Sequence, residues 1–119
     1  MNPPDLALVV PCYNEAARLD PDAFVRFTTT HPGVRLLLVD DGSVDGTHDV
    51  LERIRAAAPD AVTTCRLEGN RGKAEAVRAG ILAAIAENPA LVGFFDADLS
   101  TPLAAIDDFL AVLRTRPEV

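Results

Sequence analysis

Cysteine is scarce in this sequence. The two that occur, Cys12 and Cys65, are too few and too far apart for the paired spacing of a zinc site, and in a reducing compartment they read as buried free thiols. Long apolar runs are missing as well. Leu6 to Val10 and Leu36 to Val39 fall far short of the ~20 residues that a membrane span needs, so no transmembrane helix is expected. The start, Met1-Asn2-Pro3-Pro4-Asp5, has neither a basic segment nor an apolar stretch long enough for a secretory signal, which makes the cytoplasm the expected compartment. Basic residues are outnumbered, 11 Lys and Arg against 18 Asp and Glu, for a net charge of −7. That balance argues against a nucleic-acid partner, because such binding is driven by neutralising phosphates. A phosphate-bearing ligand would have to be held locally, by a metal ion or by particular Lys, Arg and backbone N–H groups.

What is present is ordinary globular material. Hydrophobic residues make up 49% of 119 residues against 24% charged, enough to bury a core and of a size for one domain, residues 1–119. Four β-type runs, Leu6 to Val10, Val34 to Val39, Ala61 to Leu67 and Leu91 to Phe95, alternate with helical patterns, the sign of βαβ units and a mainly parallel sheet. Near-continuous Val, Leu, Ile and Phe in three of them fits strands covered on both faces. Asp20 followed by Pro21 predicts a capped helix with Phe24 and Phe27 inward. A second helix should start near Thr47 and bury Val50, Leu51 and Ile54. In the third, Ala74, Val77, Ile81, Ala84 and Ile85 form the expected inward stripe. Thr101-Pro102 repeats the cap-then-proline start, with Leu103, Ile106, Leu110 and Leu113 as its buried face. The fold class expected is therefore α/β, a Rossmann-like three-layer sandwich of about four strands.

In open α/β sheets, ligands bind outside the carboxyl ends of the strands, and polar chemistry is concentrated there. Pro11-Cys12-Tyr13-Asn14-Glu15 follows the first strand, Asp40-Asp41-Gly42-Ser43 the second, Gly69-Asn70-Arg71-Gly72-Lys73 the third and Asp96-Ala97-Asp98 the fourth. Each cluster taken singly is also what a turn or helix cap looks like. Convergence of all four on one edge is harder to explain as turn chemistry. Asp96 and Asp98, one residue apart, offer hard oxygen ligands to Mg²⁺ or Mn²⁺, whose Lewis acidity would neutralise a leaving diphosphate. Asp40 stands where it can accept hydrogen bonds from a base or ribose, whereas Asp41 is expected to shape the turn. Lys73 and Arg71 can approach phosphates or the base, and Lys73 reads equally as a solvated residue of a helix's first turn.

In order along the chain, Val9-Val10-Pro11-Cys12-Tyr13-Asn14-Glu15, Val39-Asp40-Asp41-Gly42-Ser43-Val44-Asp45-Gly46-Thr47, Asn70-Arg71-Gly72-Lys73 and Asp96-Ala97-Asp98 resemble the successive donor-site motifs of family 2 glycosyltransferases. The resemblance covers about residues 6–102 and implies a GT-A-type fold. It implies further that Pro11, Tyr13, Glu15 and Asp40 contact the nucleoside, that Lys73 lies near the base or phosphates, that Asp96 is near the ribose or metal, and that Asp98 is on the metal. The donor would be a UDP- or GDP-sugar, transferred with inversion by a hexosyltransferase. Asp96 to Pro102 is also similar to the corresponding segment of dolichyl- and polyprenyl-phosphate sugar transferases, which points weakly to a lipid-phosphate acceptor, with a saccharide as the other choice. The family's catalytic base normally comes from a later part of the fold, so no residue here is assigned to it. The sequence therefore reads as the N-terminal part of a longer enzyme, placed in the cytoplasm or at the inner face of a membrane.

A nucleotide-sugar-binding module without transferase activity is the alternative. Other nucleotide-binding α/β enzymes are disfavoured, because Pro11 to Glu15 matches neither G-x-G-x-x-G nor G-x-x-x-x-G-K-[ST]. A response-regulator-like domain also places strand-end aspartates around Mg²⁺ but leaves the Asn70 to Lys73 loop unexplained.

Overall fold

The computed structural model describes residues 4–94. Its elements run β1 (Leu6–Cys12), α1 (Pro21–Thr30), β2 (Val34–Asp40), α2 (Thr47–Ala57), β3 (Val62–Arg66), α3 (Lys73–Ile85) and β4 (Leu91–Phe94). The expected fourth helix, with Leu103, Ile106, Leu110 and Leu113, lies outside the described residues, as does Phe95.

The strands form one parallel sheet in the order β3-β2-β1-β4. Alternation along each strand divides the core in two. Leu6, Leu8, Val10 and Cys12 of β1 and Leu36 and Leu38 of β2 pack with Phe24 and Phe27 of α1 and Leu51 and Ile54 of α2. Ala7, Val9, Leu37 and Val39 point the other way, onto Ala76 and Ala84 of α3. The sheet grows from β1 through β2 to β3 with its helices on one face, then returns past β1 to β4 with α3 on the opposite face, as right-handed crossovers require. The direction of growth therefore reverses between β1 and β4, and the carboxyl ends of those two strands flank the switch point where α/β sheets bind ligands.

Two helix starts match the expectation. Asp20 caps α1, its Oδ1 accepting a hydrogen bond from the Ala23 N–H at 3.2 Å, with Pro21 in the first turn. α2 begins at Thr47 and buries Leu51 and Ile54, with Val50 half-buried. The stripe expected on α3 is corrected. Its buried residues are Ala76, Gly80 and Ala84, while Val77 and Ile81 are half-buried and Ala74 and Ile85 are exposed. The physical reason is distance to the sheet. A Cβ on Gly80 would collide with the Val9 side chain and press on Val39, so α3 lies on its smallest residues and leaves Leu82 and Ile85 facing outward.

Candidate functional site at the carboxyl edge of the sheet

The loops that leave β1 and β2 are joined into one block by side chains reaching across about thirty residues of sequence. Asn14, in the left-handed region at φ 51°, donates from its N–H to Ser43 Oγ at 2.9 Å, and its Oδ1 accepts from the Val44 N–H at 3.0 Å. The Glu15 N–H donates to Thr47 Oγ1 at 2.8 Å. Asp45 closes the block, with Oδ2 accepting from the Ala16 N–H at 3.4 Å and Oδ1 from both the N–H and the hydroxyl of Thr47. The result is a loop whose backbone N–H groups are held by side chains of residues 43–47, and from which Pro11, half-buried at the end of β1, Tyr13, 42% exposed, and Glu15 are presented.

The hydrogen bond from the Thr47 hydroxyl, against an opposing desolvation and with help from backbone N–H groups, holds the Asp45 carboxyl below its ordinary value of 3.8. A carboxyl whose folded-state pKa is depressed contributes stability above its unfolded value and loses that contribution as pH falls through the folded one. The Glu15 and Ala16 amides should therefore keep their protection from hydrogen exchange at neutral pH and lose it in acid below that ordinary value. An exchange series followed by NMR checks this; protection that persists after Asp45 is titrated would contradict it.

The consecutive aspartates at the end of β2 do different things. Asp40 is fully buried, lies on the α1 and α2 side, and accepts from the Ser43 N–H through Oδ1 at 2.9 Å. Its Oδ2 has no hydrogen-bond partner among the described residues, although Arg66 Nε stands 3.6 Å and His48 Nδ1 3.8 Å away. Asp41, also buried, reaches toward α3. It accepts from the Arg71 N–H at 2.7 Å and the Gly72 N–H at 3.0 Å, fastening the β3–α3 loop to the end of β2. Gly42, at φ 70°, lets that loop come in so closely that a Cβ there would strike the backbone of Gly69 and Asn70. Asp41 thus does shape its turn, and it also holds a second loop thirty residues away. Because its carboxylate occupies the Arg71 and Gly72 amides, a phosphate approaching the start of α3 would meet side chains rather than those N–H groups.

Lys73 opens α3, with its Nζ 5.8 Å from the centre of the Phe94 ring. Phe94, the last described residue of β4, is in register with Val9. The β3–α3 loop and the end of β4 are therefore neighbours, and the end of β1 is one strand away. Cys12, under the β1 loop, is buried, and burial followed by the Glu15 and Asp40 carboxylates pushes its thiol far above the usual range, so it is an inert protonated thiol rather than a nucleophile. Cys65 is half-buried rather than buried, and also free.

Asp96 and Asp98 lie outside the described residues. Among the described residues, no group of three or more His, Cys, Asp or Glu side chains could hold a metal ion, and Asp40 and Asp41 already commit oxygens to backbone N–H groups. By themselves these residues do not make a metal centre. Several features had no signal in the sequence. Arg66 and His48 as side chains facing Asp40, and Ser43, Asp45 and Thr47 as acceptors for the β1 loop, depend on which strands become neighbours.

Glycosyl transferase family 2 matches the sequence over residues 7–119. An uncharacterized glycosyltransferase of Nostoc sp. is 32% identical over 93 residues, 78% of this chain and 28% of that relative. In fold, the chain is similar to the mannosyltransferase PcManGT from Pyrobaculum calidifontis, solved in complex with GDP-Man and Mn²⁺, at a TM-score of 0.64 with 26% identity over 82% of this chain and 29% of that one. S. aureus TarS 1-349, solved in complex with UDP, is similar at a TM-score of 0.66 with 23% identity over 93% of this chain and 32% of its own, a likeness of fold. The chain spans less than a third of the length of each of these proteins. Its four-stranded parallel sheet with helices on both faces is the GT-A-type arrangement of those neighbours, and with a family match that runs through all four strands, the chain belongs to glycosyl transferase family 2.

Proposed function

We propose that this chain is the donor-binding part of a glycosyltransferase that takes a UDP- or GDP-sugar together with Mn²⁺ or Mg²⁺ for inverting hexosyl transfer. The observation that carries the reading is the convergence of the loops after β1, β2 and β3 on one edge of the sheet, beside the reversal point between β1 and β4. Pro11, Tyr13, Glu15 and Asp40 serve the nucleoside. The support for Asp40 is its second oxygen, the one acceptor of this buried carboxylate not already used by a backbone N–H. Lys73 and Arg71 meet the phosphates, locally positive in a chain of net charge −7. Asp98 holds the cation, with Asp96 serving the ribose or the metal, and the cation's contribution is to neutralise the departing nucleoside diphosphate. The acceptor is a polyprenyl phosphate or a saccharide, met by parts of the protein that also supply the base. The work is done in the cytoplasm or at the inner face of a membrane; among the described residues no helix is long and apolar enough to cross one.

Calorimetry with UDP, GDP and CDP, with and without Mn²⁺, tests the reading. Metal should strengthen binding, and Asp98→Asn, which keeps the shape but removes a charge from the metal's ligand set, should weaken metal-dependent binding by on the order of tenfold or more. Equal affinity with and without metal, or an Asp98→Asn variant indistinguishable from the parent, would count against it. A binding module without turnover would show the same calorimetry but transfer no labelled sugar even as part of the longer protein.

A further inference from the structure

We infer that Asp45 and Thr47 are positioning residues for the donor site: they take the Glu15 and Ala16 N–H groups, next to the Ser43 hydroxyl that takes Asn14, and so set the backbone that aims Glu15 and, through Asn14, Tyr13. This rests on the donor-binding reading given above and adds to it Asp45, just before α2, and Thr47, the first residue of α2.

The geometry points to this in three steps. The β1 loop runs between the end of β1 and Asp20, the cap of α1, and one of its residues, Asn14, sits in the left-handed region. Three successive backbone N–H groups of that loop, those of Asn14, Glu15 and Ala16, all donate to side chains of the segment 43–47 and to none of the loop's own. The loop's own backbone closes only the turn in which the Glu15 carbonyl accepts from the Arg18 and Leu19 N–H groups, so the conformation from Asn14 to Ala16 depends on those side-chain acceptors. Thr47 is the centre of the arrangement. Its side chain is fully buried, its Oγ1 accepts from the Glu15 N–H and donates to Asp45 Oδ1, and its own N–H donates to the same Asp45 oxygen. The orientation of the Thr47 hydroxyl is therefore dictated: with its proton given to Asp45, its lone pair is left for Glu15. Asp45 determines where the hydroxyl points and itself takes the Ala16 N–H. Tyr13 and Glu15 flank Asn14, so a rotation of this backbone would move both side chains at once. Ser43 ties the same network to Asp40, because the Ser43 N–H donates to Asp40 Oδ1 while its hydroxyl oxygen accepts from Asn14.

Thr47→Val is nearly isosteric but can neither accept from Glu15 nor donate to Asp45; Thr47→Ser keeps both. Asp45→Ala removes the outer acceptor at an exposed position. Binding of UDP and GDP with Mn²⁺ is measured by calorimetry, alongside amide exchange at Glu15 and Ala16 and at Leu8 and Leu37 in the strands. Thr47→Val and Asp45→Ala should speed exchange at Glu15 and Ala16, leave Leu8 and Leu37 protected, and raise the nucleotide Kd by about tenfold, with Thr47→Ser close to the parent. Faster loop exchange with unchanged Kd in either variant would overturn the positioning role while the donor reading stands. Unchanged loop exchange would overturn it as well. If the parent itself binds neither nucleotide, the donor reading falls and the positioning role falls with it.

Discussion

Gly42→Ala should lower the melting temperature by well over 10 °C and abolish tight nucleotide binding together. Two costs act on one atom. The residue sits at φ 70°, where an L side chain costs roughly 1–2 kcal/mol. The new Cβ would also strike the backbone of Gly69 and Asn70, which cannot rotate out of the way as a side chain could. Relief requires the β3–α3 loop to move off, and that breaks the Asp41 hydrogen bonds to the Arg71 and Gly72 N–H groups. Losing those bonds leaves a buried carboxylate short of donors, so a total of about 3 kcal/mol or more is expected. For a domain of this size each kcal/mol moves the melting temperature by roughly 4–8 °C. Thermal unfolding and calorimetry on one sample read both effects. A variant that melts within a few degrees of the parent, or that binds nucleotide undiminished, would mean that the two loops are not held together as described.

Gly80→Val is expected to be of similar size but to act on the core instead. α3 rests on β1 and β2 through Ala76, Gly80 and Ala84, and even one carbon at position 80 would meet Val9 and Val39. Overpacking a filled core usually costs 1–3 kcal/mol, and a branched side chain against two strands in the middle of the sheet should reach or pass the upper figure, about 3 kcal/mol. The intrinsic gain from removing a helix glycine, below ~1 kcal/mol, is too small to offset it. Urea unfolding with an unchanged slope and a markedly lower midpoint is the expected result. Gly80→Ala separates the terms, since its smaller clash competes with a larger helix gain, and it should fall between the parent and Gly80→Val. A Gly80→Val variant as stable as the parent would show that α3 can lift from the sheet at little cost.

Much of the architecture was legible from local chemistry. Asp20-Pro21 marks a helix start because capping and the φ of proline are properties of a few adjacent residues; α2 also starts where expected, at Thr47, but without a side-chain cap. The apolar runs from Leu6 and Val34 mark buried parallel strands because covering both faces removes the need for alternation; the run from Leu91 is likewise a parallel strand, but its residues are exposed or half-buried, so its apolar character did not report burial. The inner face of α3 was misread for an equally physical reason. Hydrophobicity picks out Ile81 and Ile85, but the side a helix turns to a flat, crowded sheet is the one that lets it approach, and that is a matter of volume.

At the site, residue types and order along the chain were enough to single out the strand ends as the place for chemistry, because a parallel sheet carries every such end to the same edge. Partnership was a different matter. The sequence alone determined that this is a parallel α/β domain whose polar clusters follow its strands. The tertiary structure alone decided that Asp40 and Asp41, adjacent in the chain, face opposite sides of the sheet, that Asp41 holds a loop thirty residues on, and that Thr47 and Asp45 hold the loop after β1. The reason is that a hydrogen bond at 2.7–3.0 Å depends on strand order and on the direction in which the chain leaves each strand, and neither is a property of any stretch short enough to read locally.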